Sequence, residues 1–263
     1  MRTVRKEERR AASCFPSFAY VALFLLSLSF SGCDDSTFMN DEQITSAQKV
    51  EMSSHMSRAI PSFPGTAAFV PEITNSYLAF ERGKTFIYEG ETDEGVVTIT
   101  VEVTGENKTV MGVSTTVVRE QEFVDGELIE DTFDWFAQDV DGNVWYFGED
   151  SRTIEDGMVV STGGSWEAGV DGALPGIIML ANPLNGMKYR QEFFEGEAED
   201  HAHVINTDKH VEIELGEFDG SLQTMEYTPL EPGSREFKFY HPGTGLILEL
   251  ERGGTRIELI EIE

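Results

Sequence analysis

Hydrophobic and polar positions alternate along much of the chain beyond residue 84, and this period-two pattern predicts β-strands. Val97, Ile99, Val101 and Val103 alternate with threonine and glutamate, and similar alternation recurs in residues 210–215 and 246–251. Such a pattern places one apolar face on a core and one acidic face in water. Asp-Gly pairs at residues 125, 141 and 156 favour tight hairpin turns. No long amphipathic helical pattern follows, so we predict an all-β domain with an antiparallel sheet.

A short internal similarity suggests that this sheet contains two related modules. Residues 88–91, Tyr-Glu-Gly-Glu, resemble residues 194–197, Phe-Glu-Gly-Glu, and an aromatic hairpin follows each. The corresponding half-repeats would span about 84–150 and 190–252, with 151–189 as an insertion between them. Chance similarity in a glutamate-rich chain is the alternative. Two joined modules would form a strongly curved sheet or an incomplete barrel.

The N-terminus has the pattern of a bacterial export signal. A basic segment precedes the uncharged residues 18–30, and Ser31-Gly32-Cys33 follows. The apolar run is shorter than the roughly 20 residues of a membrane-spanning helix, whereas a cleaved signal peptide fits it. Residues 30–33 resemble the lipobox, which implies lipidation of Cys33, although Phe30 stands where leucine is usual. Cleavage after Ser31 without lipidation and an uncleaved anchor are the alternatives.

These patterns divide the chain into three parts. We predict a helical lipoprotein signal peptide in residues 1–32, a disordered tether in 33–75 and one all-β domain in 76–263. The tether is polar and contains serine, proline and glycine without clear periodicity. Only Cys14 and Cys33 are present, so the exported domain would have neither a disulfide nor a cysteine nucleophile.

Charge narrows the class of partner. The chain has 19 Lys and Arg against 48 Asp and Glu, and a formal net charge of -29. This excess disfavours nucleic acids as partners, because phosphate backbones repel acidic surfaces. The expected partners are the membrane, through a lipid anchor at Cys33, and an apolar ligand or an envelope protein. Whether the acidity serves cation binding, adaptation to salt or solubility is left open.

Aromatic residues concentrate in one predicted hairpin and suggest a ligand site. The candidate ligand-binding residues are Trp135, Phe136, Trp145, Tyr146 and, within the predicted insertion, Trp166. Aromatic faces line many pockets for apolar or sugar ligands. Large aromatics also fill the cores of broad sheets by cross-strand pairing, which is the structural alternative.

Two weaker patterns suggest metal ligands. Asp139, Asp141 and Asn143 have the alternate-residue oxygen spacing of a calcium loop, but the glycine and the closing glutamate of a hand-type loop are missing. An acidic turn explains the same residues.

The second candidate metal site comprises His201, His203 and His210. A turn at residues 206–208 would bring these histidines to one face, with His203 opposite Glu212 and His201 opposite Glu214. The alternative is an ordinary solvent face with cross-strand His and Glu pairs.

Motifs for catalysis and cofactors are missing. The sequence has no phosphate-binding glycine loop, no dinucleotide fingerprint and no nucleophile elbow, so we predict no cofactor and no catalytic residue. A non-enzymatic, envelope-anchored binding or scaffolding module is favoured. The alternatives are a glycan-acting hydrolase with paired carboxylates, which needs no local motif, and a calcium- or metal-dependent structural module.

Several stretches are similar to those of a family of bacterial exported proteins and lipoproteins. They are DWFAQD at residues 134–139, GNVWYFGE at 142–149, GSWEAG at 164–169, PGIIM at 175–179 and PLEPG at 229–233. The similarity covers about residues 72–263. It implies export or lipidation and one contiguous domain, and it brings no activity, cofactor or catalytic residue.

Overall fold

The computed structural model describes residues 61–251 and 254–263. The predicted signal peptide and Cys33 lie outside these residues. The strands are β1 (Phe69–Val70), β2 (Thr85–Thr92), β3 (Gly95–Val110), β4 (Val113–Val124), β5 (Glu127–Asp139), β6 (Val144–Asp150), β7 (Thr153–Glu155), β8 (Met158–Ser161), β9 (Trp166–Glu167), β10 (Leu174–Met179), β11 (Lys188–Arg190), β12 (Glu192–Phe193), β13 (His201–Ile213), β14 (Gly216–Tyr227), β15 (Glu236–His241), β16 (Gly245–Glu251) and β17 (Arg256–Ile262). One 3-10 turn, Thr66–Ala68, precedes them.

These strands form one antiparallel sheet that curves back on itself. Strands β2 to β6 pair in sequence, as do β13 to β17, and β17 pairs with β2. On the other side, β10 pairs with both β6 and β12, and β11 pairs with β13. The result is a nearly closed, barrel-like sheet. This confirms the prediction of an all-β, antiparallel and strongly curved fold.

Two of the three predicted Asp-Gly turns are tight hairpin turns. Asp125 and Gly126 connect β4 to β5 with φ of 49° and 83°, and Asp156 and Gly157 connect β7 to β8 with φ of 52° and 73°. Positive φ at both central residues is typical of the type I′ turn, whose twist matches the flanking strands. The local sequence therefore determined these hairpins.

The segment 151–189, predicted as an insertion, contributes a strand to the closure. Strand β10 lies between β6 and β12, and it requires a close backbone approach at Gly176. A Cβ atom added at Gly176 would lie 2.2 Å from the carbonyl oxygen of Gln191. Glycine permits this contact because it has no side chain.

The tetrapeptides that suggested an internal repeat differ in local structure. Residues 88–91 lie within β2, whereas residues 194–197 form a turn bounded by the bridge between Phe194 and Ala198. The same short sequence therefore serves two different backbone conformations.

The packed domain extends into the segment that the sequence assigned to the tether. Phe63 and Phe69 pack against the core, and Ile73 is buried. Strand β1 pairs with the end of β5, with Phe69 opposite Asp139. Aromatic side chains spaced between prolines thus anchor residues 61–75 to the sheet, despite the polar composition of the longer segment.

The acidic face of β16 is buried, although the alternation of polar and apolar residues predicted that it faces water. Cross-strand pairs connect Lys238 to Glu249, Glu249 to Ile257, Ile257 to Gly90 and Gly90 to Val97. Residues directly opposite one another lie on the same face, and Val97 belongs to the core. Closure of the sheet therefore turns Glu249 inward, so the prediction of a solvated acidic face was wrong for β16.

Candidate functional site

A cavity lies inside the barrel-like sheet. The empty space between its walls is about 680 Å³, a volume that includes open solvent at its mouth. Strands β2, β3, β5, β6, β10, β14, β15 and β16 contribute to its walls. The lining residues are Leu78, Ala79, Phe80, Phe86, Tyr88, Val101, Asp134, Phe136, Tyr146, Ile178, Glu226, Lys238, Tyr240, Gly245 and Leu246.

Aromatic side chains form much of the apolar wall. Phe136 and Tyr146 lie directly opposite each other on β5 and β6, and their rings stack with centroids 4.8 Å apart. Phe80 packs on Phe136 at 5.4 Å. Cross-strand aromatic pairs stabilise a sheet and keep few rotamers, so this wall is held in place by the strands themselves.

The first polar group of the cavity surrounds Lys238, which is almost fully buried. Its Nζ atom lies 3.0 Å from Glu236, 3.4 Å from Glu226 and 3.9 Å from Glu249. Burial alone would lower the pKa of Lys238, but the three carboxylates raise it well above its ordinary value. We call these four residues the lysine cluster, and its buried ammonium is stabilised by the carboxylates around it.

Hydroxyl groups complete the environment of Glu226. Its Oε1 atom accepts hydrogen bonds from Thr224 at 2.9 Å and from Tyr240 at 3.3 Å. Tyr88 donates to the carbonyl oxygen of Leu246 at 3.2 Å. These bonds fix the polar side chains of the lysine cluster against the cavity wall.

A second polar group contains Asp134 and Glu149, which we call the acid pair. They lie opposite each other on β5 and β6. The Tyr146 hydroxyl donates a hydrogen bond of 2.6 Å to Asp134. Burial raises the pKa of Asp134 to about 7, against the opposing effect of the Tyr146 hydrogen bond. Burial and then the charge of Asp134 also raise the pKa of Glu149 well above its ordinary value.

The structure separates the five aromatic residues predicted to bind ligand. Phe136 and Tyr146 line the cavity, whereas Trp135, Trp145 and Trp166 do not belong to its lining. Trp145 donates to Asp139 at 2.8 Å, and Trp166 donates to Glu192 at 3.0 Å.

The ring of Trp135 lies under a basic side chain. Lys108 Nζ is 3.1 Å from the ring centroid of Trp135 and 2.8 Å from Glu167. This cation–π contact, like the hydrogen bonds of the other two tryptophans, gives the ring a structural role beside the cavity.

In the predicted calcium loop, the carboxylate of Asp139 is occupied by internal donors. It accepts the backbone N–H groups of Asp141 and Asn143, the Asn143 amide and the Trp145 indole, all within 3.0 Å. Asn143 Oδ1 accepts the backbone N–H of Ala181 at 2.9 Å. These oxygens organise the turn between β5 and β6.

The predicted register of the three histidines was wrong. Strand β13 continues through residues 206–208, and its pairs are His201 with Tyr227 and His203 with Met225. His210 lies farther along β13, 2.7 Å from Asp219. Irregular pairing lets the strand pass the polar segment without turning. Within residues 61–251 and 254–263, no three His, Cys, Asp or Glu side chains are arranged to hold a metal ion.

The sequence interpretation missed the polar residues of the cavity. Lys238 stands between Phe237 and Phe239, and Asp134 between Phe133 and Trp135. Alternation places such a residue on the face opposite its aromatic neighbours, so the sequence pattern gave no indication that the charge would face inward. Nor could it show which carboxyl groups of the paired strands would meet it.

Comparison with known proteins adds little about chemistry. No protein-family model and no curated protein matches the chain. Among solved structures, one similar chain is described as an exported protein with a YmcC-like fold from Bacteroides fragilis. It is 13% identical with a TM-score of 0.41, over 74% of this chain and 99% of that one.

Another similar structure is described as a lipoprotein from Parabacteroides distasonis. It is 11% identical with a TM-score of 0.40, over 72% of this chain and 99% of that one. Similarities of this degree carry no argument about this chain. None of the helices in the described ranges is long and apolar enough to cross a bilayer.

Proposed function

We propose that this protein is an exported lipoprotein, anchored through Cys33, whose barrel-like sheet binds a small and mainly apolar molecule. The observation that carries the proposal is the cavity with aromatic and aliphatic walls and a few fixed polar groups. This combination is typical of small-molecule binding sites. The export signal supports a location in the cell envelope, facing the periplasm or the exterior.

The cavity favours binding over glycan hydrolysis. Asp134 and Glu226 both line it, as the hydrolase alternative requires of two carboxyl groups. However, most of its other lining residues are apolar, including Phe80, Phe86 and Ile178. A glycan presents many hydroxyl groups that such walls would leave without hydrogen bonds. An apolar molecule loses little when it leaves water for this site.

The test is recovery of the full-length protein from its native envelope, followed by mass spectrometry of bound small molecules and of the mature N-terminus. We expect a co-purifying apolar molecule and acyl chains on Cys33. The variant Ile178→Trp, which fills the cavity, should lose the molecule. Val159→Trp is the matched control, since Val159 is exposed on β8 and outside the cavity lining.

Two results would overturn parts of the proposal separately. An unmodified N-terminus at Gly32 would exclude lipidation of Cys33 but would leave ligand binding untouched. Equal ligand content in the Ile178→Trp and Val159→Trp variants would show that the molecule binds elsewhere.

A further inference from the structure

The two polar groups of the cavity differ in charge balance. In the lysine cluster, one ammonium lies within 3.9 Å of three carboxyl groups. In the acid pair, neither Asp134 nor Glu149 forms an ion pair with any Lys, Arg or His of the described chain. The acid pair therefore has acceptors without a matching cation.

An acceptor without a donor lies beside the cavity wall at Asp134. The side chain of Glu149 is 5% exposed, and its Oε2 atom has no hydrogen-bond partner. Glu149 lies directly opposite Asp134, and opposite residues in an antiparallel pair share a face. Asp134 itself lines the cavity. A buried polar atom without a partner is destabilising unless another molecule supplies the donor.

The chemistry of this donor follows from the groups around it. Carboxyl groups of Asp134, Glu149 and Glu226 would repel an anionic ligand, and Lys238 is already surrounded by glutamates. A protonated amine offers N–H donors and a positive charge, and charge-assisted hydrogen bonds are about twice as strong as neutral ones. We propose that the acid pair is a subsite for the ammonium end of an apolar amine bound in the cavity. This inference rests on the proposed function of the cavity.

Protonation of the acid pair gives this subsite a defined pH dependence. The pKa of Asp134 is raised to about 7 by burial, so the empty site holds a proton at acidic pH. The ammonium of a bound amine competes with this proton for the carboxyl group. Amine binding should therefore strengthen as the pH rises through 7 and the proton is lost. The titratable and charged groups that face the acid pair or the cavity are Tyr88 on β2, Glu120 on β4, Glu130 on β5, Tyr146 on β6, Glu192 on β12, Glu226 on β14, and Lys238 and Tyr240 on β15.

The test compares three probes that differ only in their polar group: benzylammonium, benzyl alcohol and benzoate. Their dissociation constants for the full-length protein can be measured by ligand-observed NMR at pH 8 and pH 5.5. We expect benzylammonium to bind about tenfold more tightly than benzyl alcohol at pH 8, because its bond is to a charged group. Benzoate should bind most weakly, and the preference for the amine should fall at pH 5.5.

Variants assign the effect to the acid pair. Asp134→Asn and Glu149→Gln should each reduce amine binding toward that of the alcohol while leaving alcohol binding within about twofold. Asp150→Asn is the matched control, because Asp150 is the next residue on β6 and lies 2.5 Å from Arg152 at the surface. This variant should retain the preference for the amine.

The outcomes separate the two proposals. If none of the three probes binds, the apolar cavity site is wrong and the amine subsite falls with it. If the amine and the alcohol bind equally at both pH values, only the amine subsite is overturned. Since this comparison uses the wild-type protein, it decides the question even if a variant fails to fold.

Discussion

The lysine cluster and the acid pair show two ways in which one sheet buries carboxyl groups. Around Lys238, three glutamates lie within 3.9 Å of an ammonium. At Asp134 and Glu149, a tyrosine hydroxyl is the nearest donor, and the pKa of both carboxyl groups is raised. Burying a charge is costly unless it is paired or neutralised. The first group combines an internal cation with protons, since burial also raises the pKa of Glu236 and Glu249, whereas the second has protons alone.

This difference separates a structural role from a responsive one. The internal cation of the lysine cluster cannot leave, so part of its charge compensation is built into the fold. The protons of the acid pair exchange with solvent and compete with any bound cation. The acid pair is therefore the part of the cavity that should respond to ligand and pH.

The largest expected effect follows from removing the internal cation. Lys238→Met leaves three buried glutamates without their shared partner, and loss of one member of a buried ion pair costs about 3–5 kcal/mol. We expect a decrease of this size in the free energy of unfolding at pH 8, measured by urea denaturation. The decrease should be smaller at pH 5, because the glutamates can then take up protons.

A surface lysine provides the control for this variant. Lys84 pairs with Glu81 at 2.9 Å on the exposed side of the domain, and Lys84→Met should change stability by less than about 1 kcal/mol. Similar losses for the two lysine variants would contradict the structural role of the lysine cluster.

The next effect concerns the pH dependence of the wild-type protein. Burial raises the pKa of Glu122 to about 8 and that of Asp134 to about 7. Because the folded state holds protons that the unfolded state releases, stability is greatest at acidic pH. It should decrease as the pH rises from the ordinary carboxyl range through 8. We expect a loss of about 3–5 kcal/mol between pH 5.5 and pH 8.5 in urea denaturation.

Replacing Glu122 with glutamine should weaken the pH dependence of the free energy of unfolding. Glu122→Gln removes a group that titrates only in the folded state near pH 8, so the variant should lose less stability than the wild type over the same interval. A wild-type stability that rises toward pH 8.5 would show that these carboxyl groups are ionised in the folded protein.

The smallest effect comes from the hydroxyl that links the aromatic wall to the acid pair. Tyr146→Phe removes the 2.6 Å hydrogen bond to Asp134 and should cost about 1 kcal/mol in thermal or urea unfolding. It should also raise the pKa of Asp134, since this bond favours the ionised form. Tyr227→Phe is the control, because Tyr227 stacks on His201 near the surface. A loss of equal size in the control would remove the special role of the Tyr146 hydroxyl.

Local patterns predicted the hairpins, but they could not show which aromatic side chains face the cavity. Asp125-Gly126 and Asp156-Gly157 adopt the expected turns because their backbone preferences are local. Phe136 and Tyr146 line the cavity, whereas Trp145 forms a hydrogen bond to Asp139. Two faces of one strand carry similar aromatic residues here, so composition could not show which face meets the cavity.

The predicted register of the histidines was wrong because the expected turn does not form. Asn206-Thr207-Asp208 has turn-forming residues, but β13 continues through it and pairs with β14. Long-range pairing with an adjacent strand outweighed the local preference for a turn.

The sequence by itself determined the antiparallel strands, the type I′ hairpins and the expectation of a strongly curved sheet, because alternation and turn residues act over a few neighbouring positions. Only the tertiary structure decided that the acidic face of β16 is buried, that Lys238 meets glutamates from β14, β15 and β16, and that Asp134 meets Glu149. The contacts themselves form between consecutive strands, in the pairs β5–β6, β14–β15 and β15–β16. Closure of the sheet through β10, β11 and β12 and between β17 and β2 encloses the faces that carry them. Closure joins residues far apart in the chain, and their register is fixed by packing over the whole sheet.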